Sequence, residues 1–242
     1  METPRTSKQW PYATALAVVL VAAALSLYSE IITLKELLIP TLSLFSTFFG
    51  ATFAFRLNQD KEDKKLQAER REALNRASFV LIRQWNAMDQ LVRQFQDYPP
   101  PFARAFNMPA FKPPAYGDLS HSIAELDYLI DSSNPALLME LIIEQERFHQ
   151  AVEALRIRNE FYVAEVQPAL EKHELNRKTV TLEQVRDLLG ERVFEGAVNG
   201  ANIAWEQIYA ASETIPKVHQ KLLVLGKELF PGKKFISYAK AA

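Results

Sequence analysis

Apolar residues run almost unbroken from Pro11 to Tyr28 and again from Leu37 to Leu57, with no charged side chain in either run before Arg56. A helix rising about 1.5 Å per residue crosses a hydrocarbon core with roughly 20 apolar residues. Each run therefore predicts a membrane span, at about 11–28 and 37–57. Only residues 29–36 lie between them, so the spans are expected to return on each other as a transmembrane hairpin over 1–57. Ser46, Gly50 and Ala54 recur every four residues in the second run, the small-xxx-small spacing that lets helix backbones approach closely. Trp10, Tyr12 and Tyr28 flank the first run as candidate interfacial anchors.

The rhythm then changes. From Asn58 to Phe95 there is neither glycine nor proline, and charges alternate in sign between Gln59 and Arg76, with acid four residues before base at Asp60/Lys64 and Glu72/Arg76. This predicts an exposed helical stalk over 58–96. Its later part gains one apolar face through Leu74, Ala77, Leu81, Trp85, Met88, Val92 and Phe95, where it enters a packed core or a coiled-coil seam.

Residues 97–118 break the helical pattern. Six prolines from Pro99 to Pro114 exclude a continuous helix, and Tyr98, Phe102, Phe106, Phe111 and Tyr116 are interleaved with them. Such a loop either pins itself across a bundle with its aromatics or offers them as a docking surface for a partner. Beyond it the spacing predicts a helical bundle over 119–242. A short helix is expected near Leu119–Ile130, and a long one opens after Ser133-Asn134-Pro135. That long helix carries a stripe of Leu138, Leu141, Gln145, Phe148, Val152, Leu155, Asn159, Tyr162 and Val166 that is expected to run as far as Pro168. Gln145 and Asn159 are its polar members, the kind of lone amide that fixes register. Thr181 and Gln184 have capping-box spacing ahead of a short helix ending before Gly190. A last helix carries Phe194, Ala201, Trp205, Ile208, Ile215 and Leu222 on one face, is expected to kink or restart at Pro216, and ends at Phe230-Pro231-Gly232. The tail that follows reads as a solvated end. The expected fold class is thus all-α: a transmembrane hairpin, a stalk and an elongated cytoplasmic helical bundle.

Charge sets the orientation. Arg5 and Lys8 precede the first run and Arg56, Lys61, Lys64, Lys65, Arg70 and Arg71 follow the second, so the positive-inside rule places both termini in the cytoplasm and the protein in an inner membrane. A competing reading takes residues 1–24 as a cleaved signal peptide with Ala22-Ala23-Ala24 at the cleavage site. The net charge of −1 argues against a nucleic-acid partner, and the lack of cysteine removes disulfide and thiolate chemistry.

Candidate chemistry is sparse. Neither a phosphate-binding glycine loop nor a GxSxG or HExxH motif occurs. Glu146 and His149 have the Glu-x-x-His spacing of di-iron bundles, but no second copy accompanies them. Ser120-His121-Ser122 places hydroxyls beside an imidazole, yet neighbouring helical residues do not face one another. The expectation is therefore no enzyme, no catalytic or metal residue, no cofactor and no small-molecule substrate, with the lipid bilayer and a protein partner or a second copy as partners.

Gly50-Ala51-Thr52-Phe53-Ala54-Phe55-Arg56-Leu57-Asn58, the stalk and the closing Leu229-Phe230-Pro231-Gly232-Lys233-Lys234 resemble a group of uncharacterised bacterial two-span inner-membrane proteins. In layout the chain is also similar to two-span effectors of anti-phage systems, including those encoded with retrons. The resemblance implies a membrane-anchored, non-enzymatic interaction or signalling module, or alternatively an effector that oligomerises through its hairpin and permeabilises the membrane.

Overall fold

A computed structural model describes residues 34–111, 119–175 and 180–237 of the chain. Its long elements are helices: α1 (Leu34–Gln96), α2 (Ala136–Phe161), α3 (Gln167–Lys172), α4 (Leu182–Leu189) and α5 (Glu191–Leu229). The chain divides into two units, Met1–Leu66 and Gln67–Ala242.

The transmembrane hairpin is not upheld. Among the described residues no helix is long and apolar enough to cross a membrane, which overturns the two-span fold, its membrane keywords and the inner-membrane location with cytoplasmic termini. The physical reason lies in the composition of the second run. Its Leu and Phe side chains are diluted by Pro40, Thr41, Ser43, Ser46, Thr47, Gly50 and Thr52, and the run is one part of α1, continuous with the charged residues that follow. The Thr47 hydroxyl turns back to donate to the Ser43 carbonyl at 2.9 Å, as hydroxyls in a helix commonly do. The first expected span, 11–28, lies outside the described residues. So does the signal-peptide alternative.

In the second unit, the apolar stripe of α1 is buried as its spacing predicts: Leu74, Leu81, Met88 and Phe95 are all but inaccessible. They join Leu141, Phe148 and Leu155 of α2 and Ile208, Ile215 and Leu222 of α5 in the main core. A smaller core gathers Phe106, Val166, Leu170, Val185 and Phe194 near the start of α5. One buried polar knot lies between α2 and α5: Glu144 accepts from Arg147 on its own helix and from the Thr214 hydroxyl at 2.6 Å.

Several boundaries differ from expectation for identifiable reasons. Residues 119–131 form two 3-10 turns, Ile123–Glu125 and Asp127–Asp131, in place of one short helix. The stripe of α2 does not stop at Pro168. The chain widens into a π-turn at Tyr162–Val166, which puts Pro168 in the first turn of α3, where its missing N–H leaves no bond unmade. Helix α5 runs through Pro216 as one element. The Thr181–Gln184 capping box forms with both of its reciprocal hydrogen bonds. The tail after Gly232 is no solvated end. Phe235 lies over Gly226, where even a methyl would come within 3.1 Å of the ring. The Ile236 carbonyl accepts from Ser78 at 2.7 Å, and its N–H donates to Asn75 at 3.1 Å.

Candidate functional site

The loop after α1 is held by two arginines, Arg104 of the loop itself and Arg158 of α2. Arg104, inside a π-turn at Ala103–Asn107, donates from Nε to the Tyr98 carbonyl at 3.0 Å and lies 4.0 Å above the Trp205 ring. Arg158 projects from the buried face of α2 and is 3% exposed. It donates to the carbonyls of Arg104 (3.0 Å), Met108 (2.5 Å) and Pro109 (3.2 Å), with the Tyr162 ring 4.7 Å away. A planar guanidinium is suited to this work because its donors fan out in fixed directions toward several acceptors. Burial lowers the pKa of Arg158 to about 10, still well above neutrality, so the group stays charged. Asn159 next to it donates to the Phe111 carbonyl at 2.7 Å, and the Tyr162 hydroxyl donates to Phe106 at 3.2 Å.

The aromatics singled out as a docking loop are therefore placed as follows. Phe106 is buried, 5.4 Å from the ring of Phe194. Tyr98, Phe102 and Phe111 are partly buried against the two cores. Tyr116 lies outside the described residues. Ser46, Gly50 and Ala54 stand exposed on α1, and a methyl added at Gly50 would meet nothing within 4 Å.

A second arrangement lies between α1 and the 3-10 turns. A cavity of about 330 Å³ is walled by Ala77, Phe79, Val80 and Leu126, with Arg76, Arg83 and the serines on either side of His121 also lining it. The segment is anchored from two helices. Gln84 donates to the Leu119 carbonyl at 2.8 Å, while Gln145 of α2 accepts from the His121 N–H. His121 itself is 9% exposed, and burial holds its pKa down to about 4, so the imidazole is neutral at pH 7. Among the described residues, the buried side-chain polar atoms without a hydrogen-bond partner are both ring nitrogens of His121 and Oε1 of Gln84. All of them belong to this one corner of the bundle.

The candidate catalytic residues are not drawn together. His149 has Ser120 Oγ at 3.5 Å from its Nε2, the outer limit of a hydrogen bond, so the serine meets an imidazole from α2 and not its sequence neighbour. No group of three His, Cys, Asp or Glu side chains suited to a metal ion occurs among the described residues, which leaves the Glu146–His149 pair without company. Sequence reasoning missed Arg104, Arg158 and Gln84. Arg158 carried a signal: it falls three residues after Leu155 on the stripe that α2 buries, where a charge needs partners.

Among the described residues these sites define a helical bundle with a strapped loop and a cavity beside His121. No family model, curated protein or solved structure matches the chain.

Proposed function

We propose that this chain is a non-enzymatic helical interaction module that associates with a second copy of itself through the first part of α1. One observation carries the reading. Ile39, Leu42, Leu44, Phe49, Phe53 and Phe55 are each between 61% and 71% exposed on one helix. Ile39, Leu42, Phe49 and Phe53 share one side of that helix, while Leu44 and Phe55 face the other way, and an apolar stripe of this kind marks an interface. No charged side chain occurs from Ile39 to Phe55, so two copies meet there without like-charge repulsion. Ser46, Gly50 and Ala54 supply a small-residue ridge along which two backbones can approach. Burying Ile39, Leu42, Phe49 and Phe53 on each of two copies is worth on the order of 12 kcal/mol or more, comparable with the roughly 4–15 kcal/mol that association costs.

Sedimentation velocity of the full chain over a range of concentrations tests this. The wild type is expected to form dimers or larger assemblies, a Phe49→Ser/Phe53→Ser variant to dissociate, and Gly50→Leu to weaken assembly by holding the backbones apart. A chain that stays monomeric throughout, or assembly indifferent to both variants, refutes the reading.

A further inference from the structure

The segment after α5 is an irregular peptide lying in a seat built by two helices. Pro231-Gly232 turns the chain, and the Lys233 N–H closes the turn by donating to the Phe230 carbonyl at 3.2 Å. Gly232 takes a positive φ of 75°, which favours glycine, and stands exposed with open space around it. Residues 233–237 then run without regular secondary structure, and three of their groups are gripped. The Phe235 ring enters a notch over Gly226, where the missing side chain makes the room, and lies 6.2 Å from the Phe230 ring. The Ile236 N–H donates to Asn75 Oδ1 at 3.1 Å, and the Ile236 carbonyl accepts from the Ser78 hydroxyl at 2.7 Å. Ser78 is 1% exposed, and its oxygen lies 2.9 Å from His219 Nε2. A proton on that nitrogen leaves the serine proton for the carbonyl, so the pair forms a fixed donor aimed at the tail. Lys233, Lys234, Ser237 and the Ile236 side chain are exposed. The seat therefore holds one aromatic ring and both backbone groups of the residue that follows it, and takes no account of the side chains on either side.

This is the division of labour in peptide recognition, where main-chain hydrogen bonds supply affinity and a pocket supplies specificity. We propose that the seat formed by Gly226, Asn75 and Ser78 is a peptide-binding site that the chain's own tail occupies, and that an extended segment of a partner protein, carrying an aromatic residue followed by any residue except proline, displaces the tail and binds there. The aromatic is required by the notch at Gly226. Proline is excluded after it because Asn75 needs an N–H to accept from. The tail can leave because it is joined to α5 only through the exposed Pro231-Gly232 turn, and no helix has to unwind for it to do so. As a tethered competitor it acts at an effective concentration on the order of millimolar, so weakening its own grip opens the seat to a free peptide. Every residue involved belongs to the second unit, and the site stands apart from the self-association reading.

The test is fluorescence anisotropy of a labelled peptide, Gly-Lys-Lys-Phe-Ile-Ser, titrated with the full chain as wild type and as Phe235→Ala, which empties the notch and leaves the seat intact. Phe235→Ala is expected to keep its helical circular dichroism and to bind the peptide at least tenfold more tightly than the wild type. Replacing the peptide's phenylalanine by alanine, or its isoleucine by proline, should weaken binding at least tenfold. Adding Gly226→Ala or Asn75→Ala to Phe235→Ala should weaken it at least fivefold, since the first narrows the notch and the second removes the acceptor. No saturable binding to Phe235→Ala, equal binding to the wild type, indifference to the peptide changes or to both added substitutions, or loss of helical signal in Phe235→Ala overturns the proposal and makes the tail an integral part of the core. The apolar stretch of α1 is unchanged in every variant, so the outcome is independent of whether the chain self-associates there.

Discussion

At the scale of single residues, the second unit depends on polar side chains buried for a structural purpose. Arg158 satisfies three loop carbonyls from the interior of α2. Replacing it with methionine keeps the stem and strips the donors, so Arg158→Met is expected to cost roughly 3 kcal/mol or more, since the carbonyls it served stay buried. Arg158→Lys should fall between the two, because an ammonium lacks the planar fork. Urea unfolding measures the loss, and faster proteolysis within 98–111 locates it. His121 makes stability depend on pH. Its folded pKa of about 4 lies below the ordinary 6.5, so the unfolded chain takes up the proton first as pH falls. Stability is then complete above pH 6.5, declines through the interval down to about 4, and is lower by about 2 kcal/mol at pH 5. Urea midpoints at pH 7 and pH 5 should converge in His121→Leu, apart from a remainder from His219, whose pKa burial also lowers.

At the scale of the element, α5 shows how one residue type serves different ends on a single helix. A methyl at Gly196 would come within 2.6 Å of the Phe161 ring, whereas at Gly200 the nearest atoms, on Arg158, are 4.0 Å away. Alanine is favoured over glycine in a helix interior by about 1 kcal/mol. Gly200→Ala is therefore expected to raise the thermal midpoint. Gly196→Ala should lower it, because displacing the partly buried Phe161 outweighs the propensity gain. Calorimetry on the two variants separates the effects, and a gain in both would remove Gly196 as a close-contact site. The capping box at Thr181 and the buried stripe of α2 were legible in the sequence because both rest on spacing along one helix. The π-turn before Pro168 was not, since widening a turn to seat a proline depends on what the next helix packs against.

At the scale of the whole molecule, the proposed self-association through the exposed apolar stretch of α1 would link association to stability. Anything that binds the folded chain stabilises it by mass action. The thermal midpoint of the wild type is expected to rise with protein concentration, and that of Phe49→Ser/Phe53→Ser to stay constant; equal behaviour of the two would separate stability from self-association. The same stretch marks where sequence reasoning failed. Counting apolar residues between Leu37 and Leu57 suggested a span, but the hydroxyls, Pro40 and Gly50 within it leave no described helix apolar enough to cross a membrane.

The sequence by itself determined that the later part of α1, α2, α4 and α5 are helical, which faces they bury and the Thr181 cap that begins α4, because each of these is set by neighbours within a few residues along one chain. It also showed the break at 97–118, through its prolines. Only the tertiary structure decided that Tyr98, Phe102, Phe106 and Phe111 turn toward the bundle, that Gln145 and Asn159 hold loop backbone where a register role was expected, and that the tail packs over Gly226. It alone gathered Gln84, His121 and Arg83 into one corner. These outcomes depend on donors and acceptors brought together from positions far apart in the chain, and no periodicity along a single segment records which distant carbonyl a buried arginine or amide will meet.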